Sequence, residues 1–204
     1  MKGKPLIIAI HDFHMPGSMT WSRNGLSDYL YGRRVRRVKD SKVENTIIVE
    51  QIKEHSWHGK TIPSGFFYQP ETENISAVMF SNAATITKFN RMGKLADLGS
   101  KEVKMIREGY LFDPNPNAFD PIHFAVDVDS PEYEESWSDS LIMFHNPNAI
   151  IPVNPYCFDD ISHTWFDEEK QEFLGKHQPY DVIHSVTFTI ISTGVKHLEE
   201  REIK

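Results

Sequence analysis

No apolar run in this chain is longer than five residues; Leu6-Ile7-Ile8-Ala9-Ile10 is the longest. Five residues suit a β-strand and fall far short of the roughly 20 that a membrane-crossing helix needs. The other apolar stretches are equally short and mostly β-branched or aromatic. They cover residues 43–50 (VENTIIVE), 75–81 (ISAVMFS), 123–128, 141–144, 161–165 and 182–191, and 101–107 (KEVKMIR) alternates as a half-buried strand. Pro, Gly and Asn punctuate them, so the chain reads as many short strands joined by turns. Asn-Pro-Asn-Ala occurs at 115–118 and again at 146–149, where Pro presets φ for a type I turn and Asn tolerates the next position.

Helical periodicity is confined to two stretches. Residues 22–31 carry Leu26 and Leu30 at i, i+4, and Gly32 is placed to end the helix. Residues 83–98 form the clearer helix, with Ser81 or Asn82 as N-cap and Gly99 after its end. On a helical wheel Ile86, Phe89, Met92 and Ala96 share one arc, and Lys88, Arg91 and Lys94 occupy a neighbouring arc. The resulting expectation is an α/β (mixed α+β) fold, with a central mixed sheet, a few helices and a β-rich second half. The unbroken apolar run at residues 5–11 predicts a strand buried on both faces. No linker divides the chain, so one domain is expected over 1–204.

Charge is distributed unevenly. Residues 1–107 hold 17 Lys/Arg and 10 Asp/Glu, and residues 108–204 hold 5 and 19, giving +7 beside −14. Such halves either attract one another within one fold or mark a polyanion-binding surface. For the second case the candidate phosphate-contacting residues are Arg33, Arg34, Arg36 and Arg37, with Lys39 beside them, and Lys88, Arg91 and Lys94. Trp57, Phe66, Phe67 and Tyr68 are candidate stacking partners for bases. No helix-turn-helix, zinc-finger or RNA-recognition signature accompanies them. Cys157 is the single cysteine, which excludes an intramolecular disulfide and reads as a small buried hydrophobe between Tyr156 and Phe158. With no secretory signal in MKGKPLIIAIHD, these features point to the cytoplasm and away from a membrane.

The end of the first strand is the main candidate for chemistry. In His11-Asp12-Phe13-His14, Asp12 and His14 share one side of an extended segment and could hold a divalent metal such as Mn²⁺, Zn²⁺ or Fe²⁺. The Asp-x-His pair resembles the first block of metallophosphoesterases, whose later Gly-Asn-His and Gly-His-x-His blocks are not found. His55 and His58 lie at i, i+3 in a segment whose Ser, Trp and Gly-Lys argue for a loop, and there is no His-Glu-x-x-His zinc pattern. Glu102 and Lys104 read as the solvated face of a strand. No nucleophile elbow or Gly-rich phosphate loop occurs.

Three phrases, KPLIIAIHDFHMPGSMTWSRNGLSDYLYG, IPSGFFYQPETENISAVMFSNAATITKFNRMGKLADLG and SLIMFHNPNAIIPV, together resemble the C-terminal half of a family of uncharacterised bacterial proteins. The likeness covers most of residues 4–155. In that family a longer upstream half resembles the restriction-endonuclease core, and KPLIIAI would be one of its late strands. This chain starts just before that strand, so the resemblance implies that any catalytic carboxylates come from a partner supplying the upstream half. The leading expectation is therefore a nuclease-like, nucleic-acid-associated protein that is catalytically incomplete alone. The alternatives are a metal-dependent hydrolase using Asp12 and His14, and a non-catalytic interaction module, which predicts an exposed apolar patch.

Overall fold

A computed structural model describes residues 3–12, 18–38, 46–115, 118, 120–178 and 181–191, and of residues 18–21, 37, 38 and 46 the backbone alone. In chain order the elements are β1 (Ile7–His11), α1 (Ser18–Tyr31), β2 (Arg33–Val38), β3 (Thr46–Gln51), β4 (Glu54–Trp57), β5 (Lys60–Pro63), β6 (Ala77–Ser81) and α2 (Ile86–Leu95). There follow β7 (Val103–Leu111), β8 (Ile122–Asp127), β9 (Ile142–His145), β10 (Ser162–Asp167), β11 (Glu172–Lys176) and β12 (Val182–Ile191). The fold is the strand-rich mixed α/β class that the short apolar runs predict. No helix among the described residues is long and apolar enough to cross a membrane.

The main sheet has five strands in the order β1-β6-β9-β10-β11. β1 runs parallel to β6 and β9 parallel to β10, whereas the β6–β9 and β10–β11 pairs are antiparallel. Alternation along β6 and β9 sends Val78, Phe80, Ile142 and Phe144 to one face, where they pack with Leu30 and Tyr31 of α1, Phe67 and Phe166. Ala77 and Met143 point the other way and pack with Val153 and Ile161. These central strands are covered on both faces, as is the first half of β10. β1, expected to be such a strand, is instead an edge strand with Leu6 and Ile10 partly exposed. An apolar run shows that a strand can be buried, but its place in the sheet depends on which strands pair with it.

α1 ends as the sequence predicts, because Gly32 adopts φ +63° and donates its N–H to the Asp28 carbonyl. A Cβ there would sit 3.1 Å from Gly65 Cα and 3.3 Å from the Ile52 carbonyl, so only glycine lets the three segments meet. Two ribbons lie apart from the main sheet: β2 with β3, and β4 with β5. His58 and Gly59 join the second ribbon, both at positive φ, as a two-residue hairpin turn requires.

A second sheet, antiparallel, has the order β12-β7-β8. The alternation expected for 101–107 holds, with Met105, Arg107 and Gly109 facing inwards. The two charge halves meet across this region. Arg23 pairs with Asp181, Lys94 with Asp129, and Arg91 and Arg107 with Glu135. The strand predicted at 182–191 is β12 itself.

Candidate functional site

Helix α2 spans ten residues and opens at Thr85, whose Oγ1 accepts the Lys88 N–H, so Thr85 is the cap rather than Ser81 or Asn82. Ser81 is the last residue of β6, which leaves Asn82 to Ala84 as the link into the helix. The orientation of α2 reverses the usual amphipathic rule. Its charged side is buried: Lys88 is 2 % exposed and Arg91 4 %. Its apolar side faces out, with Ile86 81 % and Phe89 66 % exposed, and Leu98 just beyond the helix also at 81 %.

The buried side is held by a connected set of polar groups. Arg91 makes a two-pronged bond to Glu135, with Nη2 to Oε1 at 2.7 Å and Nε to Oε2 at 2.8 Å, and Nη1 donates to Thr187 Oγ1 on β12. Arg107 Nη1 lies 3.2 Å from Glu135 Oε1, and Tyr133 donates its hydroxyl hydrogen to Glu135 Oε2. Burial pushes the Glu135 carboxyl up, but the Arg91 hydrogen bonds and the Arg107 charge outweigh it and leave the group below its ordinary pKa. Burial likewise pulls Arg91 down, and Glu135 more than restores it. Among the described residues no carboxylate forms a salt bridge with Lys88; its Nζ donates to the Trp137 and Asp139 carbonyls, and burial lowers its pKa. Removing one member of such a buried set strands the others, at a cost of about 3–5 kcal/mol.

Lys88 and Arg91 are therefore withdrawn from the phosphate-contacting surface expected of them. Lys94 is largely covered too, donating to the Val103 carbonyl at 2.6 Å and pairing with Asp129. Each of these cations already has its partner inside the fold, which a phosphate would have to displace.

The outward side of α2 borders a groove of about 770 Å³. Val103, Met105 and Thr189 contribute its sheet side, Met92 and Leu95 its helix side, and Phe89, Leu98 and Trp137 also line it. Phe89 and Trp137 pack ring to ring at 6.1 Å. Methionines and aromatics of this kind are enriched at protein interfaces and adapt to varied partners.

The remaining basic candidates lie on the β2–β3 ribbon. Arg33 donates to the Gly32 carbonyl and stands over the Phe166 ring at 5.5 Å. Arg34 bonds Asp28 at 2.7 Å, and Arg36 reaches Glu50 at 3.5 Å. The Arg37 side chain and Lys39 lie outside the described residues. Of the candidate stacking aromatics, Phe67 is wholly buried, and Trp57 and Tyr68 are exposed. Cys157, expected to be buried, is exposed.

At the end of β1, Asp12 donates its N–H to the Ser81 carbonyl, which sets Asp12 beside the end of β6. His14 lies outside the described residues, among which no cluster of three His, Cys, Asp or Glu could hold a metal. His55 is on β4 and His58 in the hairpin turn, so their spacing is not helical.

Two groupings carry no motif in the sequence. Glu135 is one of several acids in PEYEES, with nothing to distinguish it from Glu132 or Glu134. His145, His163 and Trp165 stack inside the main sheet, with His145 Nε2 2.9 Å from His163 Nδ1 and Trp165 against the His145 ring. The i, i+2 spacing of His163 and Trp165 places them on one strand face and is the signal that could have revealed them. His163 Nε2 is 2.8 Å from the Phe158 carbonyl, which only accepts, so that nitrogen carries hydrogen. In the neutral ring Nδ1 is then bare and accepts from His145.

No protein-family model matches the chain, and no curated protein or solved structure is significantly similar to it.

Proposed function

We propose that this chain is a cytoplasmic interaction module whose α2 groove docks an apolar, helix-forming segment of a partner polypeptide. The supporting observation is the reversed helix: its charged side is satisfied internally, while Phe89, Leu98 and Trp137 stand in solvent around a groove and Ile86 is exposed on the same helix. Contiguous apolar surface of that kind marks docking sites in soluble proteins, and a helix laid in a groove uses anchors at i, i+4 and i+7. Selection from a displayed peptide library on the full chain tests it. Recovered peptides should carry apolar residues at helical spacing. They should lose at least roughly 100-fold in affinity for a Phe89→Ser, Leu98→Ser double variant, since each of the two anchors is worth about 1.5–3 kcal/mol when buried. Peptides that bind both proteins equally, or none recovered, would reject the groove.

A second reading rests on the β2–β3 ribbon, which presents half-exposed Arg34 and Arg36 together with exposed Val35, Ile47 and Ile48. A two-stranded ribbon is narrow enough to enter a DNA major groove. Anisotropy with labelled duplex at low and moderate salt tests this contact: affinity should fall steeply with salt and with Arg34→Ala, Arg36→Ala. Salt-independent binding, or none at low salt, rejects it.

A further inference from the structure

Strand β12 spans ten residues and is an edge of the three-stranded sheet; α1 packs against it and its first four residues are buried or half-buried, while from Val186 onwards no strand lies on its outer side among the described residues. An open edge offers unpaired N–H and C=O groups to any other chain, and proteins normally guard it with charge, brevity or a bulge. The other sheet edges follow this rule. β8 carries Asp127, β11 carries Glu172 and Lys176, and β1 has only five residues. β12 reads Val-Ile-His-Ser-Val-Thr-Phe-Thr-Ile-Ile, without one Lys, Arg, Asp or Glu. Its irregularity lies between Val182 and His184, at the far end from the exposed part. From Val186 onwards the apolar side chains are open, Phe188 being 53 % exposed.

We infer that the occupant of this edge is a second copy of the same strand, running antiparallel across a two-fold axis. The charge pattern favours this occupant. A strand with no charged residue meets itself without like charges opposed, and it offers a charged partner nothing to pair with. Symmetry favours it too, since an antiparallel pair of identical strands is self-complementary and closes as a dimer. With Thr187 on the axis, Val186 of each copy lies opposite Phe188 of the other, and Ser185 lies opposite Thr189. Aliphatic–aromatic and hydroxyl pairs are the cross-strand matches that stabilise antiparallel sheets. The product is a continuous six-stranded sheet in the order β8-β7-β12, then its mirror sequence in the second copy.

Light scattering behind size exclusion, across a concentration series of the full chain, tests this pairing. The expected mass is twice the 23.6 kDa of one chain. Val186→Lys alone and Phe188→Asp alone should each be monomeric with unchanged circular dichroism, because both side chains point outwards. Mixing the two variants should restore a dimer, since the introduced Lys and Asp then lie opposite each other. A monomeric wild type overturns the inference, as does a Phe188→Asp variant that remains dimeric. A mixture that stays monomeric overturns the Thr187-centred register. Loss of the dimer in the Phe89→Ser, Leu98→Ser variant instead would move the contact to the groove and overturn the β12 assignment.

Discussion

At the scale of single residues, the stacked histidines tie stability to pH. Burial holds the His145 ring down at about 4, with the neighbouring His163 adding to the effect. An unfolded histidine titrates near 6.5. Between these values the unfolded chain takes up a proton that the native chain refuses. The stabilisation is therefore complete above pH 6.5 and is lost as the pH falls towards about 4, by up to about 3 kcal/mol. Urea unfolding at intervals from pH 7 to pH 4 reads this directly, and a His145→Gln variant should show a flatter acid limb. Parallel limbs for the two proteins would mean that another group is responsible. A second residue-level effect, the capping of α2 by Thr85, shows how a small shift in chain path changes a role. Ser81 and Asn82 have the right chemistry for a cap, but β6 keeps Ser81 and the helix starts several residues later.

At the scale of elements, the join between β7 and β12 depends on Gly109. A Cβ there would lie 2.1 Å from the His184 carbonyl oxygen and 2.7 Å from Ser185 Cα, closer than any real contact. Gly109→Ala should force the strands apart and cost about 2–4 kcal/mol, comparable with a severe core overpacking. A thermal melt that matches the wild type would show that the sheet yields there at no cost. Strand existence was legible because β-branched residues and period-two alternation are local properties, as at 101–107 and 182–191. Strand position was not, and β1 is the example: its Leu-Ile-Ile-Ala-Ile run carries no information about being first or third in a sheet. The facing of α2 was equally hidden. The wheel gives two adjacent arcs, apolar and basic, and the choice between them rests on Glu135 and Thr187, 44 and 96 residues away from Arg91.

At the scale of the whole molecule, the opposite charges of the two halves reflect how tightly the halves are interleaved. The main sheet takes β1 and β6 from residues 1–107 and β9, β10 and β11 from the rest, and the second sheet joins β7 to β8 and β12. Neither half contains the whole of the five-stranded or the three-stranded sheet, and β7 itself crosses the boundary between the halves. Fragments 1–107 and 108–204 should each lack a cooperative thermal transition, and coexpression should restore one. A cooperative melt from either fragment alone would contradict this interleaving. The basic residues were legible as a set, but their fate was not. Composition shows that cations exist, whereas Asp28, Glu50, Asp129 and Glu135 decide which remain available. The distance from Arg91 to its partner on β12 also sets a timetable for synthesis. At about 5–20 residues per second, the ribosome needs roughly 5–20 s to make the 96 residues between Arg91 and Thr187. Over the first 44 of those residues Glu135 is missing as well, so the nascent chain carries a helix with neither its ion partner nor its β12 contact, which a holding chaperone is well suited to shield.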